Sequence, residues 1–238
     1  EHIIGSGPTA ENYQRSTDVD LDRVDIQVKF DGLDVRPTLN ISTADLRRSY
    51  RAGETITFVA TSNYPAWIDH AEILIYRKDE RRELIDQLPV SLNRSASWSM
   101  PQSGREFEYV LRVYDTSDRF DETLPLTLAR SAQELPAHKT SPDEAPVWAG
   151  SGEDRTAKRN IPVYGGAVTV YGRNVPQGYR VDALGENLPI DSQQSFVIQR
   201  ILPPGDHSID VSVSGIKDGG LSFSRNVNIP ANDWFYVG

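Results

Sequence analysis

Short runs in which apolar and polar residues alternate with period two, and no run with the 3.6-residue period of an amphipathic helix, restrict this chain to an all-β fold. Val24, Ile26, Val28 and Phe30 alternate with Asp25, Gln27 and Lys29, the pattern of a strand with one face in a core. Ile56, Phe58 and Ala60 repeat it, as do Phe107, Tyr109, Leu111 and Val113 among Glu108, Val110, Arg112 and Tyr114. Turn residues close each run, for example Arg51-Ala52-Gly53-Glu54 and Ser103-Gly104. Pro37 confines the stretch around it to a sheet edge or a strand start. About seven such runs fall within roughly 100 residues, the sequence picture of a β-sandwich.

A second series begins at Ile161. Ala167–Gly172, Tyr179–Leu184, Asn187–Asp191, Ser195–Leu202, His207–Ser214 and Leu221–Ile229 read as strands, with turns at Val175–Gly178, Gly185-Glu186 and Pro203–Asp206. Between the two series, residues 131–160 carry Pro136, Pro142 and Pro146 and have no period. A structureless stretch of that length inside one domain is unusual, and the 238-residue length accommodates two small domains. The expected organisation is therefore a lead-in over 1–20, a sandwich over 21–130, a Pro-rich linker over 131–160 and a smaller sandwich over 161–238.

Two segments carry a family resemblance. Gly104–Val113, with Tyr109 after a glycine corner, resembles the penultimate strand of immunoglobulin-like and fibronectin type III-like domains, which implies that the Tyr109 hydroxyl bonds back to the backbone. A plain core aromatic with a wet tip is the other reading. Val163-Tyr164-Gly165-Gly166, Gly178-Tyr179-Arg180-Val181, Leu202-Pro203-Pro204-Gly205-Asp206-His207 and the final Asp233-Trp234-Phe235-Tyr236-Val237-Gly238 resemble the small bacterial immunoglobulin-like repeats of large Gram-negative outer-membrane proteins. The resemblance covers about residues 160–238. It implies two tandem immunoglobulin-like sandwiches, a periplasmic or cell-surface location, and a transmembrane β-barrel following this chain in a longer polypeptide. The apolar aromatic run at the C-terminus likewise reads as a strand that continues.

Composition narrows the chemistry. With 25 Lys+Arg against 34 Asp+Glu the net charge is −9, which argues against binding a phosphate backbone. The chain has no cysteine, so disulfides, thiolate metal sites and cysteine nucleophiles are excluded. No apolar run approaches the roughly 18 residues of a membrane-spanning helix.

Candidate sites remain few. Asp18, Asp20, Asp22 and Asp25 form one acidic cluster and Asp115, Asp118, Asp121 and Glu122 another. The loop carboxylates Asp115, Asp118 and Asp121 are the expected ligands of a structural Ca²⁺, with a polar turn as the alternative. Tyr64 and Trp67, in the loop Asn63-Tyr64-Pro65-Ala66-Trp67, are the expected ligand-binding pair, as a platform on which a sugar ring stacks. Trp67 and Trp98 as core filling is the competing reading. The four His residues, His2, His70, His138 and His207, show no zinc-site spacing. Asp206-His207-Ser208 are consecutive, but neighbours on a strand point to opposite faces, so their adjacency is no argument for a triad. Arg47, Arg48 and Arg51 read as a solvated basic face.

No catalytic residues and no cofactor beyond that Ca²⁺ are expected. The expected role is a non-catalytic cell-envelope module, acting as spacer, adhesin or protein-contact region with a protein or glycan partner. A carbohydrate-binding module, or an accessory domain of a polysaccharide-active enzyme, is the alternative.

Overall fold

The computed structural model describes residues 21–32, 35–79, 81–132, 153–215 and 219–231. The expected lead-in, most of the expected linker, Trp148, Trp234, His2 and His138, and the terminal Asp233–Gly238 run lie outside the described residues. The chain divides into two compact units, one of residues 37–132 and 153–163, the other of residues 21–36 and 164–231. Strands dominate both, and the described residues contain no α-helix.

In the unit of residues 37–163, β2 (Leu39–Thr43), β4 (Thr55–Ser62) and β7 (Arg94–Ser99) form a three-stranded sheet in the order β2-β4-β7. The facing sheet is centred on β8 (Glu106–Tyr114). One edge of β8 pairs with β5 (His70–Arg77), which pairs onward with β6 (Glu83–Val90). Its other edge pairs with β9 (Phe120–Thr123) and β10 (Leu126–Ser131), either side of Leu124-Pro125. Proline has no N–H to give the ladder, so the final strand breaks there. Two three-residue strands extend this sheet: β3 (Ser49–Arg51), parallel to β10, and β11 (Thr156–Lys158), antiparallel to β9. The alternation seen in sequence is largely the alternation of burial, broken at Val110 on β8 and Leu74 on β5, which are buried on the opposite face. Ile56, Phe58 and Ala60 are fully buried, as are Ile73, Ile75, Phe107, Leu111 and Val113. The two sheets meet ring on ring, with Phe58 4.9 Å from Tyr109 and Trp98 5.9 Å, edge-on, from Phe107.

The other unit repeats this plan. Its three-stranded sheet runs β1 (Asp25–Gly32), β12 (Gly166–Arg173), β15 (Phe196–Leu202). Its four-stranded sheet runs β14 (Glu186–Leu188), β13 (Arg180–Ala183), β16 (Gly205–Ser214), β17 (Gly220–Ile229). In each unit the first, second and fifth main strands make the small sheet. The third, fourth, sixth and seventh make the large one, in the order fourth-third-sixth-seventh. This is an immunoglobulin-like β-sandwich twice over. At its start, Gly165 has φ +113°, and a Cβ there would stand 2.0 Å from the Leu202 carbonyl oxygen, so only glycine permits that close approach.

The domain boundaries differ from expectation. The Val24–Phe30 strand, expected in the first sandwich, is β1 and pairs antiparallel with β12, from Asp25↔Arg173 to Gly32↔Ala167. Leu21, Val24 and Ile26 sit in one core with Val168, Val170, Phe196 and Val211. The unit of residues 37–163 is thus inserted between the first and second strands of the other, and the units are nested in sequence rather than tandem. A period of two says that a face is buried but not which sheet buries it. Residues 153–160, expected as linker, belong to the inserted unit, where β11 joins the sheet.

Candidate functional site

Both sets of candidate residues fall at one end of the inserted unit. Strand β4 ends at Ser62, and the chain passes through Asn63 and Tyr64 into a 3₁₀ turn, Pro65–Trp67. Pro65 starts that turn, where its missing N–H costs nothing. Asn63 and Tyr64 are 1% and 0% exposed. The Asn63 side-chain oxygen accepts the Thr38 N–H at 2.8 Å, holding the segment that enters the unit. The Tyr64 hydroxyl donates to Asp121 Oδ2 at 2.8 Å, and Asp121 Oδ1 accepts the N–H groups of Asn160 (2.6 Å) and Ile161 (2.9 Å). These hold the segment that leaves it. Burial first, then the Asp121 carboxylate, push the Tyr64 hydroxyl well above its ordinary value, so it stays a donor. The enclosed Tyr64 ring has no face to offer, which overturns its reading as a sugar platform.

Asp115 opens the turn from β8 to β9. Its Oδ1 accepts the N–H groups of Ser117 (2.9 Å) and Arg119 (3.0 Å), and its Oδ2 accepts Arg119 Nε (2.8 Å). Burial works to raise this carboxyl, but the Ser117 and Arg119 donors outweigh it and the group lies below its ordinary range. Asp118 is exposed, with φ +59°. The expected Ca²⁺ triad is therefore not assembled. Asp115 and Asp121 have spent both oxygens on N–H and O–H donors, and Asp118 is an exposed turn residue. Among the described residues no three His, Asp or Glu side chains come together as a metal site. The polar-turn reading of Asp115 is the one the geometry carries.

Trp67 is half-buried at the rim of this end. Beside it the Asp69 N–H donates to the Tyr114 carbonyl at 2.7 Å, and the exposed His70 imidazole stacks on the Tyr114 ring, centroids 4.5 Å apart and planes 12° from parallel. His70 Nδ1 is 2.9 Å from Asp69 Oδ2. The Tyr114 hydroxyl donates to Glu72 at 2.7 Å. Phe120 follows at 6.0 Å from Tyr114, with the Arg112 guanidinium 4.5 Å above its ring. Arg112 and Lys158 both pair with Glu122, at 2.5 and 3.0 Å. Burial raises the Glu122 carboxyl, but the two cations outweigh it and leave it below its ordinary range. The result is an outward strip of rings and charges, closed by the exposed turn Thr116–Arg119. His70, Tyr114 and Phe120 were not legible as one surface, because the β5–β8–β9 register that aligns them is a tertiary fact. Only the outward phase of Tyr114 on β8 hinted at it.

The other candidates are structural. Trp98 is 8% exposed and its Nε1 donates to Asp86 at 2.9 Å, as core filling requires. Tyr109 packs its ring on Phe58, and burial pushes its hydroxyl up to about 12. What the geometry shows is a core aromatic, without the hydroxyl-to-backbone bond of a tyrosine corner. Arg47 belongs to a braced turn, pairing with Asp45 at 2.6 Å and with Glu54.

No protein-family model matches this chain, and no curated protein matches it. Among solved structures it is similar to the fibronectin(III)-like modules of CbhA from Clostridium thermocellum, with 14% identity, 81% of this chain and 94% of that chain covered, and a TM-score of 0.30. The central fibronectin-III array of RIM-binding protein follows at 9% identity, 85% and 72% coverage and a TM-score of 0.28. A maltogenic amylase from S. marinus gives 11%, 82% and 32%, and 0.20. Superpositions at this level do not determine a fold. The strand order and register do.

Proposed function

We propose that this chain is a non-catalytic protein-interaction module of a longer cell-envelope protein, and that the ring-and-charge strip of the inserted unit is its contact surface. The observation that carries the reading is the His70–Tyr114 stack, an aromatic surface left outward at the loop end where Tyr64 and Asp121 are enclosed and bonded to one another. Aromatic and arginine side chains on a firmly held base are what interface hot spots are made of. The nested immunoglobulin-like plan, a scaffold with loops at its ends, suits contact rather than chemistry. The placement at the periplasm or cell surface, ahead of a membrane β-barrel, is supported by the resemblance of residues 160–238 to outer-membrane repeats.

A photo-crosslinking residue at position 70 in the cells that make the protein tests the contact surface. A discrete protein adduct there, lost with Trp67→Ala or Tyr114→Ala and absent for a crosslinker at position 208, is expected. The glycan alternative rests on Trp67 alone, now that Tyr64 is enclosed. Saturable glycan-array binding that Trp67→Ala abolishes, with no protein adduct, would replace the protein reading by that one. Recovery of the protein in the cytosolic fraction would overturn the envelope placement.

A further inference from the structure

Strand β1 is joined to the rest of its sandwich only through a complete second unit, because residues 37–163 lie between it and β12. Among the described residues it pairs only with β12. Leu21, Val24 and Ile26 are 5%, 5% and 3% exposed in the core. Without them that core has an open apolar slot, bordered by the β12 backbone. Such a slot selects its occupant by main-chain hydrogen bonds and by pockets for alternate side chains. The contacts that fill it are identical whether β1 comes from the same chain or from another copy. β1 is also an edge strand, so it can leave and return without threading. Pro37 biases Arg36 toward extended backbone, the direction in which a strand runs out rather than folds back.

We propose that this slot is a binding site for β1 of a second copy, through which chains exchange their first strand. At low concentration the strand of the same chain wins, because the covalent link gives it an effective concentration set by the span of that link. Chains unfolded and refolded together at comparable concentration partition between the two arrangements. In the native state exchange is slow, because it passes through the opened unit. This inference is independent of the proposed contact surface.

The absence of native cysteines makes the test clean. Gln27 and Tyr171 are register partners, and the Tyr171 hydroxyl donates to Gln27. One population carries Gln27→Cys alone, a second Tyr171→Cys alone, and the two are co-refolded at high concentration and oxidised. A 27–171 disulfide between different chains is expected, at least tenfold above that formed when Ser208→Cys replaces Tyr171→Cys. The double variant on one chain calibrates the yield. A yield no greater than the Ser208→Cys control would overturn the proposal. Independently, a labelled peptide of residues 21–32 should bind the full chain carrying Ile26→Asp saturably. The same peptide with Val24→Asp and Ile26→Asp should bind at least tenfold more weakly, and equal binding would overturn the site.

Discussion

Tyr64 donates its hydroxyl to Asp121 Oδ2 at 2.8 Å across 57 residues of sequence, both side chains enclosed. The bond completes a carboxylate that already accepts two main-chain N–H groups at Asn160 and Ile161. Tyr64→Phe leaves one carboxylate oxygen without a donor, and a cost of about 1–3 kcal/mol is expected. Asp121→Ala strands the buried Ile161 N–H and the Tyr64 hydroxyl together, and frees the Asn160 N–H as well, and should cost more than Tyr64→Phe. Denaturant midpoints of the inserted unit measure both. Equal midpoints for wild type and Tyr64→Phe would show that the bond is idle.

The nested topology gives the first strand a remote effect. Ile26 is 3% exposed in the core of the other unit. Truncating a buried Ile to Ala costs about 2–5 kcal/mol. For Ile26→Ala the loss should appear as faster amide exchange over residues 166–229, with exchange over 55–131 unchanged. A domain order read straight along the sequence predicts the reverse.

The outcome shows which features a sequence carries. The sandwich class follows from local alternation, and Phe107, Leu111, Val113, Val168 and Val170 sit inside as their phase requires, while Val110 is buried against its phase. The identity of β1's partner does not follow, because Val24 and Ile26 would look the same against any sheet. β3 and β11 are three residues each, too short to show a period. At the candidate site the loop Asn63–Trp67 and the acids Asp115 and Asp121 stand out as unusual. Their use does not, because a carboxylate bonded to N–H groups and one awaiting a cation have the same one-letter code.

Acid should act on the inserted unit through Glu122 and Asp115. Both carboxyls lie below their ordinary values in the fold. A depressed folded-state value means stability that is present above the unfolded value and lost as pH falls through the folded one. Unfolding should therefore set in below the ordinary carboxylate range, near pH 4. Glu122→Gln should flatten that acid limb while lowering stability at neutral pH, where Arg112 and Lys158 lose their partner. A pH–stability curve parallel to that of wild type would remove Glu122 from the account.

Leu46 is 65% exposed with φ +57°. The left-handed region costs a leucine about 1–2 kcal/mol, and this side chain recovers little by burial. The turn is held by the Tyr50 hydroxyl on Asp45 (2.5 Å) and by Thr43 Oγ1 on the Arg47 carbonyl (2.9 Å), neither of which involves the Leu46 side chain. Leu46→Gly should therefore raise the stability of the inserted unit by about 0.5–1 kcal/mol, net of the glycine's entropy. A fall in the denaturant midpoint would mean that the leucine side chain makes a contact that matters.

Arg200, 2% exposed on β15, reaches Glu186 on β14 through Nε at 3.1 Å and Nη2 at 2.6 Å, tying the small sheet of its unit to the large one. The two partners differ in burial, since the Glu186 side chain is 25% exposed. Removing the carboxylate takes its two-point acceptor from an enclosed guanidinium, which keeps its bond to the Gln199 carbonyl. Removing the guanidinium leaves a carboxylate that water can reach. Glu186→Ala should thus cost about 3–5 kcal/mol and Arg200→Met, which keeps the packed stem, less than half of that. The double variant should sit close to Arg200→Met, giving a coupling energy that a double-mutant cycle resolves. Equal losses for the two single variants would mean that the pair's contribution is packing alone and that its charge is fully screened.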